Sequence, residues 1–180
     1  MILTIHAVAG AAVANQFQNK LIAWVLAFLS HFLLDAIPHR EYSLENVKFG
    51  FRSREFWKLA IKILIDLISG FILIIIFTKQ TSNLSQNLTG GFCALIPDGL
   101  SVLWIIIKNN NLRKFFGKQE IIRDNTKLIN RFLQILENLL EKFYHNCHNN
   151  LHWLKNTPLF WGILSQVIIL IISLYSLINW

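Results

Sequence analysis

Charge is what this chain has least of. Of its 180 residues 15% are charged and 54% hydrophobic, and mean hydropathy is +0.46, whereas a water-soluble domain carries about 25% charged residues. Acidic groups are the scarcer sign, 10 against 17 Lys and Arg. Cysteine is nearly missing as well: Cys93 lies in an apolar run and Cys147 in a polar one, with no CxxC pair, which excludes a disulfide framework, a redox pair and a zinc knuckle. Three prolines and eight glycines exclude a collagen-like chain, and the apolar richness excludes disorder. There is no GxSxG, HExxH, P-loop or GxGxxG, so serine hydrolase, zincin and nucleotide-binding functions have no support.

What the chain does have is long apolar runs. A hydrocarbon core of about 30 Å needs roughly 20 apolar residues as a helix, with about 17 as the lower limit. Residues 21–37, 56–78, 84–107 and 158–178 qualify, the last opening on Pro158, which suits a first helical turn. Residues 2–14 are apolar but too few to cross, so they read as a half-span or re-entrant helix. Ala12, Val13 and Ala14 resemble a signal-peptide cleavage site, but no Lys or Arg precedes Lys20, so the positive n-region of a signal is missing.

Basic residues assign the sides, because Lys and Arg are retained in the cytoplasm. Six fall in 38–62 and nine in 108–155, which leaves only Lys20 and Lys79 for the remaining connections. The pattern predicts an inner-membrane, multi-pass protein that starts inside and ends outside. This topology explains the net positive charge without nucleic-acid binding. The chain divides into a core over 1–107, a cytoplasmic segment over 108–157 and a last span over 158–180. In the middle segment Leu128, Ile129, Phe132, Leu133, Leu136, Leu139, Leu140 and Phe143 recur at three- and four-residue spacing, which predicts one amphipathic helix. The expected fold is thus all-α, with four transmembrane helices, an N-terminal half-helix and a cytoplasmic amphipathic helix.

Three of the ten acidic residues, Asp35, Asp66 and Asp98, fall inside apolar spans. An ionisable group at such depth costs several kcal/mol unless paired and is a functional signal by default. His6 in the half-helix, His31 one turn before Asp35, and His39 after Pro38 join them. With a rise of about 1.5 Å per residue, His6, Asp35 and His31 fall roughly 7, 6 and 12 Å from the cytoplasmic side, and Asp66 and Asp98 roughly 15 Å. Small residues flank them: Gly10 follows His6, Ser69 and Gly70 follow Asp66, and Gly90, Gly91 and Ala94 precede Asp98. Such residues let helices approach closely in lipid.

Imidazole and carboxylate groups in this combination suit zinc or another divalent first-row metal. The expected ligands are His6, His31, Asp35, His39, Asp66 and Asp98, with Asp98 or Asp66 serving as general base if it is not a ligand. His148 and His152, spaced i, i+4 before the last span, could cap the site or sit on a solvated helix end, and Gln166 could reach it from the last span. Asp66 could instead pair with Lys62 one turn back.

The run from His31 through Asp35, Pro38, His39 and Arg40, the early His6 ahead of Gly and Ala residues, and Ile96-Pro97-Asp98 together resemble a known group. These are small bacterial membrane-bound metal-dependent hydrolases, the LexA-binding inner-membrane hydrolase-like family, distantly similar to zinc-dependent phospholipase C. The resemblance spans roughly residues 1–107 and is most specific in the H-x-x-x-D-x-x-P-H segment. It implies His6, His31, Asp35 and His39 as ligands, with Asp66 and Asp98 as later members. The family's HRG-x-THS segment is represented only by its His-Arg start at His39 and Arg40, without the Gly and the second His. The function expected is metal-dependent hydrolysis of a phosphoester or lipid-linked ester at the cytoplasmic leaflet, with Zn as cofactor and membrane lipid as partner. The rivals are a metal-stabilised scaffold without turnover and an ion or proton pathway.

Overall fold

The computed structural model describes residues 3–37, 39, 53–78, 83–108, 135, 138, 139, 141, 142 and 159–179, except for the side chains of 104–108 and 159. Among these there are five extended helices and no strand: α1 (Leu3–Asn15), α2 (Lys20–Asp35), α3 (Arg54–Thr78), α4 (Leu84–Lys108) and α5 (Leu159–Asn179). Ile135, Asn138, Leu139, Glu141 and Lys142 are helical, and the rest of the expected amphipathic helix lies outside the described residues.

The short α1 is the centre of the bundle and packs against each of the other four helices. Thr4 to Asn15 are all buried except Val13, which suits a helix of Ala, Gly and small apolar residues with no preferred outward face. Thirteen residues at about 1.5 Å each span roughly 20 Å, less than a hydrocarbon core. Its contacts fix its direction. Thr4 meets Gly70 and Ala7 meets Gly91, while Asn87 joins Asn15 to Thr78, so α1 runs parallel to the second half of α3 and antiparallel to α4.

Glycine makes this closeness possible. A Cβ on Gly10 would overlap that of Ala94 and come within 2.9 Å of the Gly90 carbonyl oxygen, and one on Gly90 would overlap that of Ala14. Both ends of α1 are closed by polar side chains from neighbouring helices. Asp66 of α3 meets its first amides, and at the other end Gln86 Nε2 of α4 donates to Ala14 O (2.7 Å) and Phe17 O (2.5 Å). The chain then turns into α2 at Asn19, whose Oδ1 accepts from Leu21 N and Ile22 N as an N-cap.

The described part of α3 and of α5 is long and apolar enough to cross a membrane, over Arg54–Thr78 and Phe160–Asn179. Of the four expected spans, these two are supported among the described residues and the four-span count is not. At 16 residues α2 is just short of the lower limit, and α4, though it has 25, carries Gln86, Asn87 and Asp98. Only 17% of the apolar window of α3 and 22% of that of α5 is buried. The exposed positions hold large apolar side chains, such as Leu21, Leu29 and Leu33 of α2, Ile61, Ile65 and Ile72 of α3, and Ile171, Ile172 and Tyr175 of α5. The buried positions include Thr4, His6, His31, Asp35, Asp66, Asn87 and Gln166. The α5 residues Leu170, Leu174 and Leu177 pack with Ala7, Val8 and Ile74, so the last helix shares one core with 1–107.

Candidate metal centre

Three helices bring four groups together. His6 comes from the start of α1, His31 and Asp35 from the last turns of α2, and Asp98 from α4, directly after the helix-interior Pro97. Proline removes one backbone donor and leaves a carbonyl a turn earlier without its usual partner. The Pro97 carbonyl itself is taken up by the buried Ser101 hydroxyl at 3.0 Å. The i, i+4 spacing of His31 and Asp35 puts both on one face of α2.

His6 Nε2 is 3.3 Å from Asp35 Oδ1, and His31 Nε2 is 3.0 Å from Asp35 Oδ2 and 3.7 Å from Asp98 Oδ1. The two imidazoles stack with centroids 4.2 Å apart at 29°. His39 stands at the edge, its Nε2 3.9 Å from Asp35 Oδ1 and its Nδ1 2.6 Å from Ile37 O. Side-chain exposure is 0% for His6 and His31, 2% for Asp35 and His39, and 23% for Asp98. Among the described residues of the centre, Asp98 is thus the one with appreciable exposure.

Ligand atoms of His6, His31 and Asp98 all lie within 4.8 Å of one another, so this group could hold a metal ion. Neither Nδ1 of these two histidines makes a hydrogen bond, whereas both Nε2 atoms face the Asp35 carboxylate. A neutral imidazole carries one N–H, for which Asp35 is the acceptor at Nε2, and this leaves the lone pair of each buried Nδ1 without a partner. Ligation by a cation would occupy the other nitrogen and give both rings a reason to be there. Bond lengths of about 2.0–2.1 Å around a tetrahedral ion place neighbouring ligand atoms about 3.3 Å apart. Within the group, His31 Nε2 and Asp98 Oδ1 stand 3.7 Å apart, near that value. A divalent cation among two carboxylates and two neutral imidazoles would also leave no net charge in an apolar surrounding.

Asp66 stands elsewhere. Its Oδ2 accepts from Leu3 N at 2.6 Å, and its Oδ1 accepts from Thr4 N at 3.3 Å. The Thr4 hydroxyl lies 2.6 Å from Oδ1 and 2.7 Å from the Asp66 carbonyl oxygen, one proton shared between two acceptors. The carboxylate caps α1 from another helix, where the first amides lack intrahelical partners and the helix dipole favours an anion. Gln166 is buried on α5. His148 and His152 lie outside the described residues.

Thr4, Asn15, Gln86 and Asn87 were not foreseen as members of the polar interior. Asn15-Gln16 and Gln86-Asn87 are amide pairs at the ends of apolar runs, a signal that reads as loop composition until the two runs are seen to pack end on. No family model, curated protein or solved structure matches the chain.

Proposed function

We propose that this protein is a membrane-embedded metal-dependent hydrolase of phosphoester or lipid-linked ester bonds, acting at the cytoplasmic leaflet with Zn as its metal. One observation carries the reading: two fully buried, stacked imidazoles, held against Asp35 by Nε2 and with Nδ1 unpaired, lie beside the partly exposed Asp98. The apolar exterior over a polar interior supports the membrane setting, with α2 and α4 crossing beside α3 and α5. In lipid there is no water to solvate a buried carboxylate, so such groups persist where something pairs with them.

In this reading His6, His31 and Asp98 hold the metal, and Asp35 lies against both imidazoles, fixing their orientation and balancing charge. Bound zinc supplies a water whose pKa falls to about 7 and polarises a phosphoryl or carbonyl oxygen.

The test begins with elemental analysis of detergent-purified protein, native and zinc-reconstituted, beside His31→Ala. About one zinc per chain, with affinity weakened more than about 100-fold in the variant, is expected. Hydrolysis of a panel of phospholipids and generic phosphodiesters is then compared between wild type and Asp98→Asn. A protein that takes up no divalent metal sinks the metal reading and favours an ion pathway; metal uptake with equal rates from the two proteins sinks the hydrolase reading.

A further inference from the structure

Asp66, Gly70 and Ile74 turn one face of α3 into the bundle. A different face carries Arg54, Lys58, Lys62, Ile65, Ile72 and Ile76, whose spacings of three, four and seven residues keep them on one stripe, and all six are exposed. The stripe is cationic as far as Lys62 and apolar beyond it; Ser69, the polar residue in the apolar part, returns its hydroxyl to the Ile65 carbonyl at 2.8 Å. Glu55 meets Lys58 Nζ at 2.9 Å, an exposed pair that holds little. Among the described residues no carboxylate reaches Arg54 or Lys62, because Asp66, one turn beyond Lys62, is given to the amides of Leu3 and Thr4. Depth makes this pattern informative. About 20 helical residues cross a hydrocarbon core, and counted back from Thr78, which Lys79 follows, that length ends at Leu59. Lys58 then stands at the boundary, Arg54 one turn outside it, and Lys62 about 5 Å inside. An unpaired ammonium in hydrocarbon is costly, and the Lys62 stem is long enough to bring it back to the level of Lys58. Cytoplasmic retention explains basic residues at this end of the helix, but it does not ask for them on one stripe.

We infer that this stripe of α3 binds an anionic membrane lipid of the cytoplasmic leaflet and keeps it intact, as a bound partner and not as a substrate. Its phosphate lies among Arg54, Lys58 and Lys62, and an acyl chain runs along Ile65, Ile72 and Ile76. The inference rests on the membrane setting proposed above, and it uses nothing of the metal centre, to which α3 contributes no residue. Arg grips phosphate as a fork and Lys as a point charge. A zwitterionic headgroup brings its own ammonium to the phosphate and leaves the three cations with less to neutralise, so the site prefers a headgroup of net negative charge.

Detergent-purified protein is equilibrated with equal amounts of dioleoylphosphatidylglycerol and dioleoylphosphatidylcholine, which share chains and phosphodiester and differ in net charge. The intact lipid that stays with the protein through gel filtration is then counted by mass spectrometry. Phosphatidylglycerol is expected to be retained over phosphatidylcholine by about ten-fold. The preference should fall several-fold in Lys62→Gln, fall further when Arg54→Gln is added, and persist in Lys62→Arg. It should also persist in Lys20→Gln, which removes a cation at the opposite end of the bundle. These positions are exposed, and an unchanged thermal midpoint confirms that each variant is folded. Equal retention of the two lipids by the wild type overturns the site. An equally large fall in Lys20→Gln or in Lys62→Arg overturns it too, since net charge or packing would then govern; either result leaves the hydrolase reading standing. A protein that stays in solution without detergent overturns the membrane setting together with the site.

Discussion

At the scale of the residue, Asp66 shows how one carboxylate type serves two purposes in one interior. Asp35 and Asp98 face imidazoles, whereas Asp66 faces the amides of Leu3 and Thr4. Depth arithmetic on the sequence set Asp66 at the level of Asp98, but level alone does not say which face of α3 it takes. The start of α1 meets α3 at this carboxylate because an unpaired helix N-terminus in an apolar core needs an acceptor. Asp66→Asn keeps an oxygen for one amide and gives up the charge and the second acceptor. The variant should lose about 1–3 kcal/mol of stability, seen as a lower thermal midpoint in detergent, and keep its zinc stoichiometry while folded. Zinc loss with an unchanged midpoint would return Asp66 to the metal. His6, His31 and Asp35 were legible as a site because ionisable groups stand out in apolar runs; the amide caps were not, because Asn and Gln at the ends of such runs look like ordinary loop residues.

At the scale of the element, α1 decides the geometry of the centre. It is too short to cross, yet it carries His6 and holds the other helices around it. The sequence showed it as a half-helix from its length, and Gly10 and Gly90 as close-packing residues from their size. It could not show that the two glycines face each other, since that depends on the register between α1 and α4. Gly10→Ala separates the local and tertiary effects. Helix propensity alone favours alanine by about 0.8–1.0 kcal/mol. Against this, the new methyl would overlap Ala94 Cβ and stand 2.9 Å from the Gly90 carbonyl oxygen, and backbone cannot rotate away as a side chain can. Overpacking typically costs about 1–3 kcal/mol and shifts the backbone. The expected outcome is a lower thermal midpoint together with weaker zinc binding, because pushing α1 from α4 draws His6 away from Asp98. A raised midpoint would mean that propensity governs and that the two helices do not meet through Gly10.

At the scale of the whole molecule, polarity among the described residues departs from that of a water-soluble bundle: large Ile, Leu and aromatic side chains lie exposed, while Asp, His, Asn, Gln and Thr are buried beside small apolar residues. Composition had already implied this, because a chain with 15% charged residues lacks the polar surface to cover five helices. Orientation rests on different physics, the retention of Lys and Arg on the cytoplasmic side. Arg54 and Lys58 at the start of α3 belong to the basic stretch 38–62, and Lys20 opens α2 at the end where Gln86 closes α1. On that rule the start of α3 and the end of α2 are expected on the cytoplasmic side, and the C-terminal end of α1, with Asn15, Thr78 and Asn87 around it, on the outer side. Reporter fusions after Lys20, Lys79 and Trp180 should therefore report the outer side, and one within 108–155 the cytoplasm. Phosphatase and fluorescent-protein reporters, which are active on opposite sides, should give complementary signals at all four sites. A cytoplasmic signal after Trp180 would mean that α5 does not cross outward, and an outer signal from 108–155 would reverse the whole orientation.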